Sequence, residues 1–435
     1  MPTAVIAGGG LAGMAAAAAL AQAGFRVDLF EARPALGGRA SSFTPPDAAD
    51  ESERIDNCQH ILLGCCTNLL DLYRRLGVLD RIRFYDEFHF VEPGGRVSKL
   101  RAGMLPAPWR LAGSFLRLRF LSAADKLAVV RGLAALRREA GRRDLDAITM
   151  GDWLNAQRQT PRAIRRFWQP VLASAVNEEL DRMAAGHAFQ AFRLAFLGPR
   201  RAFEMGVPSV PLSRLYDQAV PGVEIALRAP VERVLIRDGA ALGAVVNGEL
   251  RAADHVVLAV PPDRTGALVP ELALDLASFE YTPITGIHLW FDRPVMDLPH
   301  AALLDGALHW VFNKAGGRYL LAVVSASRGL VEMSREEVIS LARRELGEYL
   351  PQARAVRLER AHVVKELRAT FSARPGMEAR RPVAATEIRG LYLAGDWTRT
   401  GWPATMEGAV RSGYLAAEAV TRAAGVPRRF VVPAI

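Results

Sequence analysis

Thr3-Ala4-Val5-Ile6-Ala7-Gly8-Gly9-Gly10-Leu11-Ala12-Gly13, continuing into Met14-Ala15-Ala16-Ala17-Ala18-Ala19-Leu20, decides the fold. Thr3 to Ala7 is an apolar run of strand length, and the glycines form a turn. Small residues to about Ala23 read as a helix that Gly24 ends. A second strand, Phe25 to Phe30, finishes at the acid Glu31. Strand, glycine turn, helix, strand and acid together make Gly8, Gly10 and Gly13 a dinucleotide-binding fingerprint. Gly8 allows the tight turn, Gly10 admits a pyrophosphate against bare backbone, and Gly13 lets the helix approach the strand. The helix amides then face the phosphates. Glu31 suits a ribose hydroxyl pair and repels a 2′-phosphate, which favours FAD or NAD over NADP.

Outward from this unit, the chain of 435 residues exceeds one ordinary core, so a nucleotide-binding domain carrying inserted material is expected. Half the residues are hydrophobic and 23% are charged, which excludes disorder as the main state. Cys58, Cys65 and Cys66 are too few and too close for a disulfide framework, and no signal peptide precedes the first strand, so a reducing cytoplasm is expected. Their spacing with His60 matches no zinc signature, and no metal is expected. Leu11 to Gly24 is too short and too glycine-interrupted to span a bilayer, and no other uncharged apolar run is longer.

Net charge is +9, from 55 Lys and Arg against 46 Asp and Glu. Lys99 to Arg143 carries 11 of those cations against only Asp125 and Glu139, so this one segment holds an excess equal to that of the whole chain. A solvated Arg-rich helical face and an anionic membrane surface both fit it; nucleic acid does not, because no reading motif accompanies it. Within the segment, Ser122-Ala123-Ala124-Asp125 is a capping box before an expected apolar stripe of Leu127, Val130, Leu133 and Leu136. From Val223 onward strands dominate: Pro230 to Ile236, a turn at Asp238-Gly239, Asp254 to Pro262, and Thr285 to Phe291. A helix follows from Arg335 to Tyr349, then a last strand, Leu391 to Ala394, and a helix from about Met406 to Ala424.

Ala32-Arg33 and Leu36-Gly37-Gly38-Arg39, taken with the glycine loop, resemble the opening of the flavin-containing amine oxidase and phytoene desaturase superfamily. Leu393-Ala394-Gly395-Asp396 and Thr405-Met406-Glu407-Gly408-Ala409 resemble its closing FAD motif. The segment Ile55 to Asn68 is similar to one in plant-type carotene desaturases, and Ile287 to Arg293 to a later strand of theirs. With Gly401-Trp402-Pro403 added, the pattern resembles the bacterial squalene-associated branch, the hydroxysqualene dehydroxylases of hopanoid synthesis, over nearly the whole chain. It departs at Cys58, where the pattern usually has glycine for positive φ or close flavin approach, and at Cys66, where desaturases often have tyrosine.

The resemblance implies an α/β fold: a Rossmann-type FAD-binding domain assembled from 1–95, 205–280 and 380–425. A helix-rich α+β substrate-binding, membrane-facing domain would be formed by 96–204 and 281–379. FAD contacts would come from Gly8, Gly10, Leu11, Ala12, Gly13, Glu31, Ala32, Gly38, Arg39, Val231, Gly395, Asp396, Met406 and Ala409. The implied reaction removes the hydroxyl of hydroxysqualene reductively to form squalene, over an apolar tunnel with aromatic faces. Phe189, Phe192 and Phe196, on one helical face, and Trp402 are tunnel candidates. Asp56, His60 and Trp402 are the catalytic candidates, while Glu407 reads as a first-turn acid stabilising its helix. Implied partners are the triterpene, the inner face of the cytoplasmic membrane and neighbouring squalene and hopanoid enzymes. Three other readings stay open: a carotenoid-type desaturase running hydride transfer the other way, an amine oxidase, and a non-catalytic isoprenoid-binding escort protein. The amine oxidase is weakened because no aromatic cage or flavin-linking cysteine is evident.

Overall fold

The computed structural model describes every residue except 47, 49–52, 108, 218, 219 and 435. Its centre is a parallel sheet of five strands, in the order Val223–Leu227, Arg26–Glu31, Thr3–Ala7, His255–Leu258 and Leu391–Leu393. Three separated stretches of chain supply it. The opening helix, Leu11–Gln22, has no polar face and is buried along nearly its whole length. It is held between the sheet and the closing helix, Met406–Ala423, so both of its sides need apolar residues. Alanines and a glycine bring the two helices into backbone contact: a Cβ added to Gly413 would lie 2.2 Å from the Ala12 carbonyl oxygen.

A second, mixed sheet of seven strands runs Leu358–Phe371, Tyr281–Phe291, Tyr319–Val324, Trp310–Ala315, His300–Leu303, Glu87–Val91 and Val97–Arg101. Alternation sorts its side chains. Val311, Leu320 and Ala322 face the helix Arg335–Tyr349, whereas Trp310, Phe312, Leu321 and Val323 face the helical segment that includes Trp168 and Phe192. The strand Glu87–Val91, which the sequence reading gave to the first domain, hydrogen-bonds into this second sheet. Hydrophobic alternation alone carries no information about which sheet a strand joins.

The basic helix, Ala123–Arg138, starts with the expected capping box between Ser122 and Asp125. Its expected apolar stripe is corrected. Ala128, Val129, Gly132, Ala135 and Leu136 face inward, while Leu127 is 58% and Val130 49% exposed. Shape decides the inner face, because the Trp168 ring crowds Gly132 so closely that a Cβ there would lie 2.8 Å from it.

Burial holds six histidines uncharged in addition to His60. It lowers the pKa of His187 and His288 to about 3 and of His300 and His309 to about 4, and it also lowers those of His89 and His255. Unfolded, these rings bind protons below about pH 6.5, and folded they resist. Stability is therefore fully present above pH 6.5 and is lost as pH falls, by up to about 1.4 kcal/mol per pH unit for each ring. The melting midpoint should drop steeply between pH 7 and 5. An unchanged midpoint would mean that the folded chain takes up these protons.

Candidate functional site

Between the two sheets lies a cavity of about 640 Å³. One part is lined by the glycine loop, Glu31, Arg39 and Asp396. The rest is lined by apolar side chains, among them Phe88, Phe90, Leu100, Leu194, Phe196 and Trp310. The structure brings to this wall Gly8, Gly10, Leu11, Ala12, Glu31, Ala32, Gly38, Arg39, Val231, Gly395, Asp396, Met406 and Ala409, together with His60 and Trp402. Gly13 and Asp56 are not on it.

Gly13 acts from behind the loop, where a Cβ would lie 1.9 Å from the Gly8 carbonyl oxygen. The buried Glu31 carboxylate accepts from the Gly9 N–H at 2.6 Å and the Arg33 N–H at 2.8 Å, which fixes its direction at the cavity edge. Arg39 donates to the Ala369 carbonyl at 2.8 Å and pairs with Asp396 at 2.5 Å. Burial works against the Arg39 charge, yet the adjacent Asp396 carboxylate raises its pKa above the ordinary value. Thr405 caps the closing helix by accepting from the Gly408 N–H at 3.0 Å, so the positive end of that helix meets the cavity at Met406.

The catalytic candidates separate. Asp56 is a structural carboxylate: buried off the cavity, it accepts from Ser42 and from the Leu212 N–H at 2.8 Å each, and from Lys314 at 3.3 Å. His60 remains on the wall. Its Nδ1 lies 3.0 Å from the Cys58 carbonyl oxygen, which can only accept, so Nδ1 carries the hydrogen and Nε2 the lone pair. Burial lowers the His60 pKa despite the opposing Cys58 carbonyl and Asp56, so the ring is a neutral acceptor rather than an acid. Glu407 reaches beyond its own helix. Its carboxylate accepts from the Asn68 N–H at 3.3 Å and the Leu69 N–H at 2.8 Å, capping the helix Thr67–Arg75, and burial raises its pKa.

Phe189 and Phe192 pack into the core against Trp153 and Trp168, and only Phe196 of the expected trio lines the cavity. The chain turns as a π-helix over Phe192–Phe196, with Leu197 N–H donating to the Phe192 carbonyl, and this breaks the 3.6-residue spacing that would align the three rings. Cys58 stands where glycine was expected, at an ordinary negative φ. Gly286 across from it lets the strand Tyr281–Phe291 approach this loop, since a Cβ there would lie 3.1 Å from the Asn57 carbonyl oxygen. Burial pushes the Cys58 thiol up to about 12. Among the described residues no cluster of His, Cys, Asp or Glu has metal-binding geometry.

Two site residues escaped the sequence reading. Fully buried Arg381 donates to the Trp402 carbonyl at 2.7 Å, the Asp396 carbonyl at 2.9 Å and Thr400 Oγ1 at 3.0 Å, and so fixes the loop that carries Asp396 and Trp402. Glu366, on the strand Leu358–Phe371, lines the cavity, and its charge acts on Arg39, Cys58 and His60. Neither lies in a motif, and only their tertiary neighbours mark them.

A model of the flavin containing amine oxidoreductase family matches residues 11–421. The chain belongs to that family. This amine oxidoreductase homologue is 32% identical over 434 residues to a hydroxysqualene dehydroxylase of Rhodopseudomonas palustris, a match covering 96% of this chain and 97% of that one. It is 27% identical over 454 residues to a 15-cis-phytoene desaturase of Synechococcus elongatus, covering 95% of each. An oxidoreductase of Methanosarcina mazei shares the fold with TM-score 0.71 at 18% identity, over 97% of this chain and 100% of that one. Putrescine oxidase bound to putrescine does so with TM-score 0.69 at 19% identity, over 97% and 99%.

The protein is thus a flavin-dependent oxidoreductase, and its residues fit such a cofactor. At Gly10 a Cβ would meet nothing closer than the Gly38 Cα at 3.9 Å, which leaves an open cradle at the N-terminus of the opening helix, whose first residues Leu11 and Ala12 line the cavity. The same motif therefore holds two glycines with different duties. Gly10→Val should fold with a melting midpoint near that of flavin-stripped wild type yet carry little flavin. Gly13→Val should lose roughly 4 kcal/mol or more of stability, because a backbone oxygen cannot yield. Stoichiometric flavin in purified Gly10→Val, read from its visible absorbance, would refute the assignment of this loop to the pyrophosphate.

Proposed function

We propose that this protein is an FAD-dependent hydroxysqualene dehydroxylase that removes the hydroxyl of hydroxysqualene to give squalene. The observation that carries the reading is the continuous cavity, running from a dinucleotide cradle to an apolar, aromatic wall suited to a hydrocarbon. The 32% identity to the Rhodopseudomonas palustris enzyme supports it. The phytoene desaturases, matched over similar lengths, support a second reading in which a carotenoid-like hydrocarbon is desaturated instead.

FAD would be held by the Gly8–Gly13 loop, Glu31 and the Arg39–Asp396 pair, and in its reduced form supplies a hydride equivalent. The protein must do the rest. Loss of water from a carbon beside an alkene leaves a delocalised cation, which the ring faces of Phe88, Phe196, Trp310 and Trp402 stabilise while their bulk excludes water. The departing hydroxyl needs a proton. Glu31, Asp396 and Glu407 are each committed to the hydrogen bonds described above, and His60 presents a lone pair. The Glu366 side chain lines the cavity without a hydrogen-bond partner among the described residues, so in this reading its carboxylate takes a proton from solvent before the substrate seals the cavity and then passes it to the departing hydroxyl as general acid. The balance is alcohol, hydride and one proton giving hydrocarbon and water.

Anaerobic incubation with reduced FAD and hydroxysqualene should yield squalene. A single turnover with deuteride-reduced FAD should place deuterium at the former carbinol carbon. Glu366→Gln should keep bound flavin and lower kcat by about 100-fold or more. Formation of no squalene, with desaturation of a more saturated isoprenoid in the presence of an electron acceptor, would leave the second reading.

A further inference from the structure

We propose that the outward face of residues 101–138 is a docking surface for an anionic lipid bilayer, from which the cavity takes its water-insoluble substrate. The proposal rests on reading the cavity as a hydrocarbon site. Met104 is 100%, Trp109 64% and Leu116 66% exposed, and Leu105, Leu127 and Val130 are exposed with them in one short stretch of chain. On the basic helix the outward positions are Ala123, Ala124, Leu127, Val130, Arg131, Ala134, Arg137 and Arg138, an apolar first half and a cationic second half.

Charge on this face has one sign because its two acids are occupied within the protein. Asp125 closes the capping box and accepts from Thr160 at 2.6 Å, and Glu139 accepts from the Trp153 indole at 2.9 Å and pairs with Arg138 and Arg142. Exposed Arg117, Arg119, Arg131 and Arg137 have no ion-pair partner among the described residues. Lys126 donates to the Leu116 carbonyl at 2.7 Å, which holds the two exposed apolar elements side by side. Leucine and tryptophan tips among unneutralised arginines suit a headgroup boundary, where apolar tips enter the lipid and cations meet phosphate.

The face is also fastened to the cavity. The Gly103 N–H donates to the Arg110 carbonyl at 2.7 Å, which closes the base of the exposed loop. The buried Arg110 guanidinium donates to the Ala195 carbonyl at 2.8 Å and the Phe196 carbonyl at 3.2 Å, both in residues of the cavity wall. Leu100, one residue before this face, lines the cavity as well.

The test is sedimentation of the flavin-loaded full chain with vesicles of phosphatidylcholine alone or mixed with phosphatidylglycerol. Anionic vesicles should bind roughly tenfold or more tightly at low salt, and the advantage should shrink as salt rises. Trp109→Ser combined with Leu127→Ser, and separately Arg131→Glu combined with Arg137→Glu, should each weaken binding about tenfold or more. All four positions are exposed, so melting midpoints and turnover of detergent-solubilised substrate should not change. Equal binding to neutral and anionic vesicles, or variants that bind as wild type does, would overturn the proposal. So would self-association through these residues with no vesicle binding. Vesicle binding is read without turnover, and detergent turnover without vesicles, so failure here is distinguishable from failure of the assigned reaction.

Discussion

The molecule depends on backbone meeting backbone at the opening glycine loop. The Gly8 carbonyl sits where a side chain on Gly13 would begin, and the Ala12 carbonyl where one on Gly413 would begin. These two contacts press the opening helix against both the sheet and the closing helix. The N-terminal and C-terminal motifs, at opposite ends of the sequence, thereby become opposite sides of one cavity. Had either helix carried larger side chains at these positions, the elements would stand further apart and the cradle would open.

Around that cavity the polar groups are arranged so that few remain free. Glu31 is aimed by two backbone amides, Asp396 by Arg39, Asp56 by Ser42 and Leu212, and Glu407 by the start of the neighbouring helix. Glu31, Asp56 and Glu407 are positioning devices, since a buried carboxylate that accepts from backbone amides gains more by holding a backbone in place than by exchanging protons. The contrast gives Glu366 its importance. Arg381 extends the same logic to a cation: with no exposure at all, it satisfies carbonyls of the loop that presents Trp402.

The inserted helical segment has two faces with unlike demands. Inward it supplies Leu194 and Phe196 to the cavity, with the π-turn setting which rings arrive there. Outward it leaves leucine, valine and tryptophan in solvent beside arginines. The two faces are joined by Arg110, whose donors end on the carbonyls of the wall.

The sequence by itself determined the parallel nucleotide sheet, the direction of the opening helix and the terminal motif, because glycine spacing and strand-helix alternation are local signals that depend only on backbone sterics. It also carried the capping box at Ser122, for the same reason. Tertiary structure alone decided that Glu87–Val91 joins the second sheet, that Leu127 and Val130 face out and Gly132 in, and that Phe189 and Phe192 leave the cavity to Phe196. It alone separated Asp56 from Glu366, one spent on backbone and lysine and the other open to the cavity. Those outcomes depend on which bulky side chain arrives from a distant segment and which donors surround a carboxylate after packing, and no spacing within a single stretch of chain encodes either.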